Sequence, residues 1–145
     1  MKNLFKLLFI ALMGVLFAIT GANAQTSNMN GNGDTITNTG TKYNTLKIGE
    51  TSNANITIQA NVTKLSGTVG GTISIEGSLD GVTYEALDSL LFFDSLPSKT
   101  PTNTTGTKGY IFVLNNNIYQ YIRVKYVGTG TMSAKMSSLL LLRKK

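Results

Sequence analysis

The chain of 145 residues has no cysteine, no histidine and no tryptophan, and only two prolines, Pro97 and Pro101. Without cysteine there is no disulfide, no thiol nucleophile, no cysteine-bearing zinc site and no lipid anchor on a modified cysteine. Without histidine, nucleophile–imidazole pairs and imidazole-ligated metals fall away, and without tryptophan so does the broadest platform for stacking a sugar. Charged residues are also scarce, at 14% of the chain, with seven acids among them. A carboxylate pair or a serine–lysine arrangement is all that remains for chemistry. The composition therefore points to a protein that is not an enzyme and needs no cofactor.

What the chain does have begins at its first residues. Lys2 and Lys6 make a short positive end, Leu7 to Ile19 an apolar run, and Ala22-Asn23-Ala24 supplies the small residues that a signal peptidase requires. The apolar run is shorter than the ~20 residues needed to span a bilayer, so residues 1–24 are expected to be a hydrophobic signal helix cut between Ala24 and Gln25. If uncut, residues 7–22 would be the only membrane contact. The formal charge of +6 falls to +4 without Lys2 and Lys6, and three positives are the terminal Arg143-Lys144-Lys145, which read as a solvated tail. No nucleic-acid partner is expected.

Residues 25–41 are almost all Asn, Gly, Thr and Ser, too polar to order themselves alone, and are predicted to be a flexible leader to a domain over 42–145. Beyond them the apolar residues recur with the period of two that marks half-buried strands. Ala54 to Val62 places Ile56, Ile58 and Val62 inward, Thr72 to Ser78 places Ile73 and Ile75 inward, and Tyr119 to Tyr126 places Ile122 and Val124 inward. Asp80-Gly81 suits a tight hairpin, with Val82 to Leu87 returning. Leu90 to Phe93 reads as a short buried strand, Tyr110 to Leu114 as a strand with Ile111 and Val113 inward, and Ser95 to Gly109 as the longest loop. Leu87, Phe92 and Met132 complete the predicted core. Seven or eight short strands with regular turns imply an all-β antiparallel sandwich, jelly-roll-like.

Leu139-Leu140-Leu141-Leu142 interrupts the alternation, which leaves two readings: a final strand buried within a sheet, or an apolar edge used for assembly. Glu76 and Glu85 fall on the two arms of the hairpin, where they would have to meet across it to act as a glycosidase pair; at outward positions among Thr and Ser they read as solvated acids. Asp80 reads as a turn residue in preference to a calcium ligand, because no Asp-x-Asp-x-Asp-Gly loop surrounds it. The candidate ligand-binding strip is the outward row Tyr119, Tyr121, Arg123 and Lys125, two aromatic rings beside two cations, for which the ordinary alternative is cross-strand packing on a polar face.

The segments Gly77-Ser78-Leu79-Asp80-Gly81-Val82-Thr83-Tyr84 and Gln120-Tyr121-Ile122-Arg123-Val124 resemble the hairpin and a later strand of discoidin-type, galactose-binding-like sandwiches. That resemblance implies that both segments are framework and that a ligand would be held by loops at one end. Asn38-Thr39-Gly40-Thr41-Lys42-Tyr43, Leu65 to Thr72 and Gly128 to Ala134 are similar to small β-sandwich proteins of phages and prophages of Bacteroidetes-type bacteria, over most of residues 34–143. This second resemblance implies a virion or surface component. Together these features lead to the expectation of an exported, non-catalytic protein that self-associates or joins a larger assembly. A surface glycan is the alternative partner.

Overall fold

The computed structural model describes residues 25–29, 33–48, 54–87, 91–92 and 97–143. The expected signal helix and its cleavage point lie at or beyond the edge of these residues. Among the described residues there are ten strands: β1 (Gln25–Asn28), β2 (Asp34–Thr37), β3 (Thr41–Lys47), β4 (Ala54–Gly67), β5 (Gly71–Ser78), β6 (Glu85–Ala86), β7 (Ser98–Lys99), β8 (Thr107–Asn117), β9 (Tyr121–Gly128) and β10 (Met132–Arg143). They form two antiparallel five-stranded sheets. Sheet I has the order β1-β10-β4-β8 with β2 also on β10; sheet II has the order β3-β9-β5-β6 with β7 also on β5. The expectation of an all-β antiparallel architecture holds, and the strand number exceeds seven or eight because β1, β2, β6 and β7 are only two to four residues long.

The inner faces of the two sheets supply one core. Ile56, Ile58, Ala60 and Val62 of β4, Phe112 and Leu114 of β8 and Met132, Ala134, Met136 and Leu140 of β10 face Ile73 and Ile75 of β5 and Ile122, Val124 and Tyr126 of β9. A buried hydrogen bond, Asn44 Nδ2 donating to Ser138 Oγ at 3.0 Å, joins β3 to β10 through this core. Buried polar groups must be paired in this way, and the pairing fixes one alignment of the sheets.

Four expectations are corrected. Residues 25–41, predicted to be a flexible leader, contribute β1 and β2, which borrow their backbone partners from β10 and insert Met29 and Ile36 into the core. Ile111 is exposed and Val113 half-buried, while Tyr110, Phe112 and Leu114 point inward; five consecutive apolar residues carry no parity, and the pairing of Phe112 with Ile58 sets it. The hairpin after β5 is a wide loop over 79–84, since Val82 is exposed and only Glu85–Ala86 returns as strand. Phe92 makes a single bridge to Leu114 in place of a full strand, with Leu90 and Phe93 outside the described residues.

Leu139 to Leu142 belong to a strand with neighbours on both sides. β10 pairs with β4 along one edge and with β1 and β2 along the other, so the reading as an apolar sheet edge is overturned. Leu140 is buried in the core, while Leu139 and Leu141 are half-buried on the outer face.

Candidate functional site

The outer face of sheet II gathers most of the predicted strip. Strand pairing places Lys47, Tyr121 and Ser78 in one row, Thr45, Arg123 and Glu76 in the next, and Tyr43, Lys125 and Ser74 in the third. Side chains directly opposite in an antiparallel pair share a face about 5 Å apart, so this register alone sets Arg123 beside Glu76.

Glu76 is 6% exposed, which corrects the expectation of a solvated acid. Its burial is compensated by two cations. Arg123 Nε reaches Oε2 at 2.6 Å and Arg123 Nη2 the same oxygen at 2.5 Å, while Lys125 Nζ reaches Oε1 at 3.0 Å. The Arg123 guanidinium also lies between two rings, 4.2 Å from the centroid of Tyr43 and 3.8 Å from that of Tyr84. A planar, weakly hydrated guanidinium suits both contacts at once, which an ammonium would not. Lys47 Nζ stands 5.5 Å above the ring of Tyr121.

Tyr119 leaves the predicted row. It falls in the connection after β8 and packs its ring toward the core side, where a Cβ on Gly77 would lie 2.5 Å from it. Gly77 thus admits the ring by having no side chain. Tyr121, on the opposite face, lies against the loop at Gly81, whose φ of +77° favours glycine. The two tyrosines clasp the end of β5 from opposite sides and do not form one platform.

The loop itself is held by Asp80. Its Oδ1 accepts from Ser78 Oγ, Val82 N and Thr83 N, each at 2.8 Å, and Ser78 Oγ accepts from Gly81 N at 2.9 Å. These donors, led by the two backbone N–H groups, lower its pKa to about 2. That is the work of a turn residue, as expected. Glu85 pairs in register with Gly77 and Glu76 with Ala86, so the two glutamates occupy opposite faces and cannot act as a carboxylate pair. A cleft of about 260 Å³ beside the loop is lined by Gly77, Ser78, Leu79, Asp80, Thr83, Glu85 and Tyr119. Among the described residues no group of three His, Cys, Asp or Glu could hold a metal ion, and no helix is long and apolar enough to cross a membrane.

The outer face of sheet I is different in kind. Register places Leu139 beside Gln59 and Ile111, Leu141 beside Thr57 and Val113, and Ser137 beside Asn61 and Gly109. None of these nine residues is charged, and Ile111 is 51% exposed. Of the expected loop from Ser95 to Gly109, the described residues 97–109 are tied to the rim of the core: Thr102 N donates to Tyr110 Oη at 2.8 Å, Pro101 is buried, and Lys99 Nζ lies 5.3 Å above Phe112.

No family model matches the chain, and no curated protein matches it. Solved structures align with it at low identity and at TM-scores below 0.5. A chain of the T13 IBDV viral particle aligns at 13% identity and a TM-score of 0.48 over 83% of this chain and 31% of its own, so this protein spans about a third of that chain. The SPBc2 prophage-derived protein YomS aligns at 10% identity and 0.46, over 86% and 97%. A pilus protein of Bacillus endospore appendages aligns at 12% and 0.43, over 88% and 93%. Carbohydrate-binding modules are also among the matches.

Proposed function

We infer that the chain is a non-catalytic structural protein of a virion or cell surface, exported by residues 1–24, which acts by contact between protein surfaces. The observation that carries this reading is the neutral part of the outer face of sheet I, the rows of Ser137, Leu139 and Leu141. Leu139, Leu141, Ile111 and Val113 supply apolar area there, and the amide and hydroxyl groups of Thr57, Gln59 and Asn61 lie between them. Two copies can stack on this face without burying an unpaired charge, the cost that most often forbids such a contact. The composition supports the same reading, since it leaves little with which to catalyse a reaction.

Light scattering on the protein purified after export tests this. The expected result is an oligomer that dissociates when Leu139 and Leu141 are both replaced by Lys, positions chosen because Leu140 is buried and its replacement would harm the fold. A wild-type monomer at high concentration, or an oligomer indifferent to both changes, would overturn the reading.

A further inference from the structure

We propose that the outer face of sheet II binds an acidic polysaccharide, a chain of sugars carrying carboxylates, across Lys47, Arg123 and Lys125 with Tyr43 at its border. The argument starts from the charges. One carboxylate, Glu76, serves both Arg123 and Lys125, so the cluster keeps one positive charge in excess, and the exposed Lys47 in the adjoining row adds another. Among the described residues no second acid stands in these rows.

The donors are also in excess. Arg123 spends Nε and Nη2 on the same oxygen of Glu76, which leaves Nη1, and Lys125 spends one of three N–H groups. A carboxylate on a ligand is the group that answers unused guanidinium and ammonium donors. Glu76 thereby acts as a brace: it holds two flexible cations in place before a ligand arrives, which lowers the ordering cost of binding.

Sugar is favoured as the carrier of that carboxylate by what surrounds the cations. Tyr43 remains 40% exposed beside Arg123, and a ring of this kind offers an apolar surface to the C–H face of a pyranose. Thr45, Ser74, Thr72 and Thr41 contribute hydroxyls on the same face, groups that both donate to and accept from sugar hydroxyls. Nucleic acid fits less well. Its phosphates come every few ångströms and call for a track of cations, whereas here the excess is confined to a few adjacent positions. The face contains no histidine, so attraction for a carboxylate should persist from pH 5 to 8 and weaken with salt.

The test is affinity electrophoresis of the full exported protein through gels containing polygalacturonate, neutral dextran or no polymer, with circular dichroism to check the fold of each variant. Polygalacturonate should retard the wild type and dextran should not. Lys47→Glu should weaken retardation about tenfold, the loss of one charge-assisted contact, and Tyr43→Ala should weaken it less. Lys135→Glu makes the same charge change on an exposed residue of sheet I and should leave binding as it was. The proposal is overturned by any of three results. They are no retardation by polygalacturonate, an equal loss from Lys135→Glu, which would reduce the effect to net charge, and equally tight binding of a single-stranded oligonucleotide of matching charge. Because none of these outcomes depends on oligomeric state, failure here leaves the assembly reading standing, and the converse is also true.

Discussion

The two sheets share one core yet present opposite outer faces. On sheet I the outward rows of Ser137, Leu139 and Leu141 are neutral, and what they offer is area. On sheet II the outward positions carry a braced cluster of one acid and two cations between tyrosine rings, and what they offer is charge and hydrogen bonding. Both sheets turn aliphatic residues inward, but outward sheet II carries polar side chains and rings while sheet I adds Ile111, Val113, Leu139 and Leu141. The inward positions therefore determine the fold, and the outward ones are left to specify contacts. The difference also separates two kinds of dependence. An outward leucine on sheet I can be removed at little cost to the fold, whereas an outward arginine on sheet II cannot.

The largest effect should come from the position that divides inside from outside on sheet I. Phe112→Ala, which empties a fully buried site, is expected to cost about 3–5 kcal/mol, while Ile111→Ala next to it should change stability by no more than ~0.5 kcal/mol. Urea denaturation of both variants measures this; the reverse order would mean that β8 is turned over by one residue.

On sheet II, Arg123→Ala leaves the nearly buried Glu76 with Lys125 as its one cation among the described residues. About 3 kcal/mol should be lost, less than for two fully enclosed partners because Arg123 keeps 21% of its side chain exposed. Adding Glu76→Gln to that variant should restore most of it, since the stranded charge is then gone. On the opposite face Leu141→Ala should cost under ~1 kcal/mol. If the two faces responded alike, the contrast between area and charge would collapse.

The smallest effects are those of pH. Asp80 has its pKa lowered to about 2, so the unfolded chain takes up its proton first as the solution is acidified. The stabilisation from this group is complete above its ordinary value near 4 and disappears between there and about 2. Tyr126 moves the other way, raised to about 12 by burial first and by Tyr110 second. Its contribution is complete below pH 10 and is lost as pH rises from 10 to 12. Melting temperatures across both ranges should fall at each end, and Asp80→Asn and Tyr126→Phe should each remove one slope.

Where apolar and polar residues alternate, the sequence is decisive: Ile56, Ile58 and Val62, Ile73 and Ile75, and Ile122 and Val124 all lie inward as their spacing requires. Tyr110 to Leu114 has no polar residue to mark the outer face, and its parity comes from β4, some fifty residues earlier. β1 and β2 are equally illegible alone, because their order is conferred by β10, about a hundred residues away. The same holds for the candidate site. Tyr121, Arg123 and Lys125 can be read as a strip from their spacing, but the burial of Glu76 depends on a neighbouring strand, and Tyr119 leaves the row because β9 begins two residues later.

The place of β10 has a consequence for how the chain comes to be folded. The strand at the centre of sheet I is the last of the ten to be synthesised. Until residues 132–143 have emerged, β1 and β2 have no neighbour, β4 has one side open, and Asn44 lacks the hydroxyl that satisfies it in the core. Loop closure over such distances is slow, and its cost falls before the contacts that reward it. A growing chain can therefore pair β4 with β8 and assemble sheet II, while sheet I stays open along the edge that β10 will fill. β10 acts as the clasp that shuts sheet I, and the earlier strands wait for it.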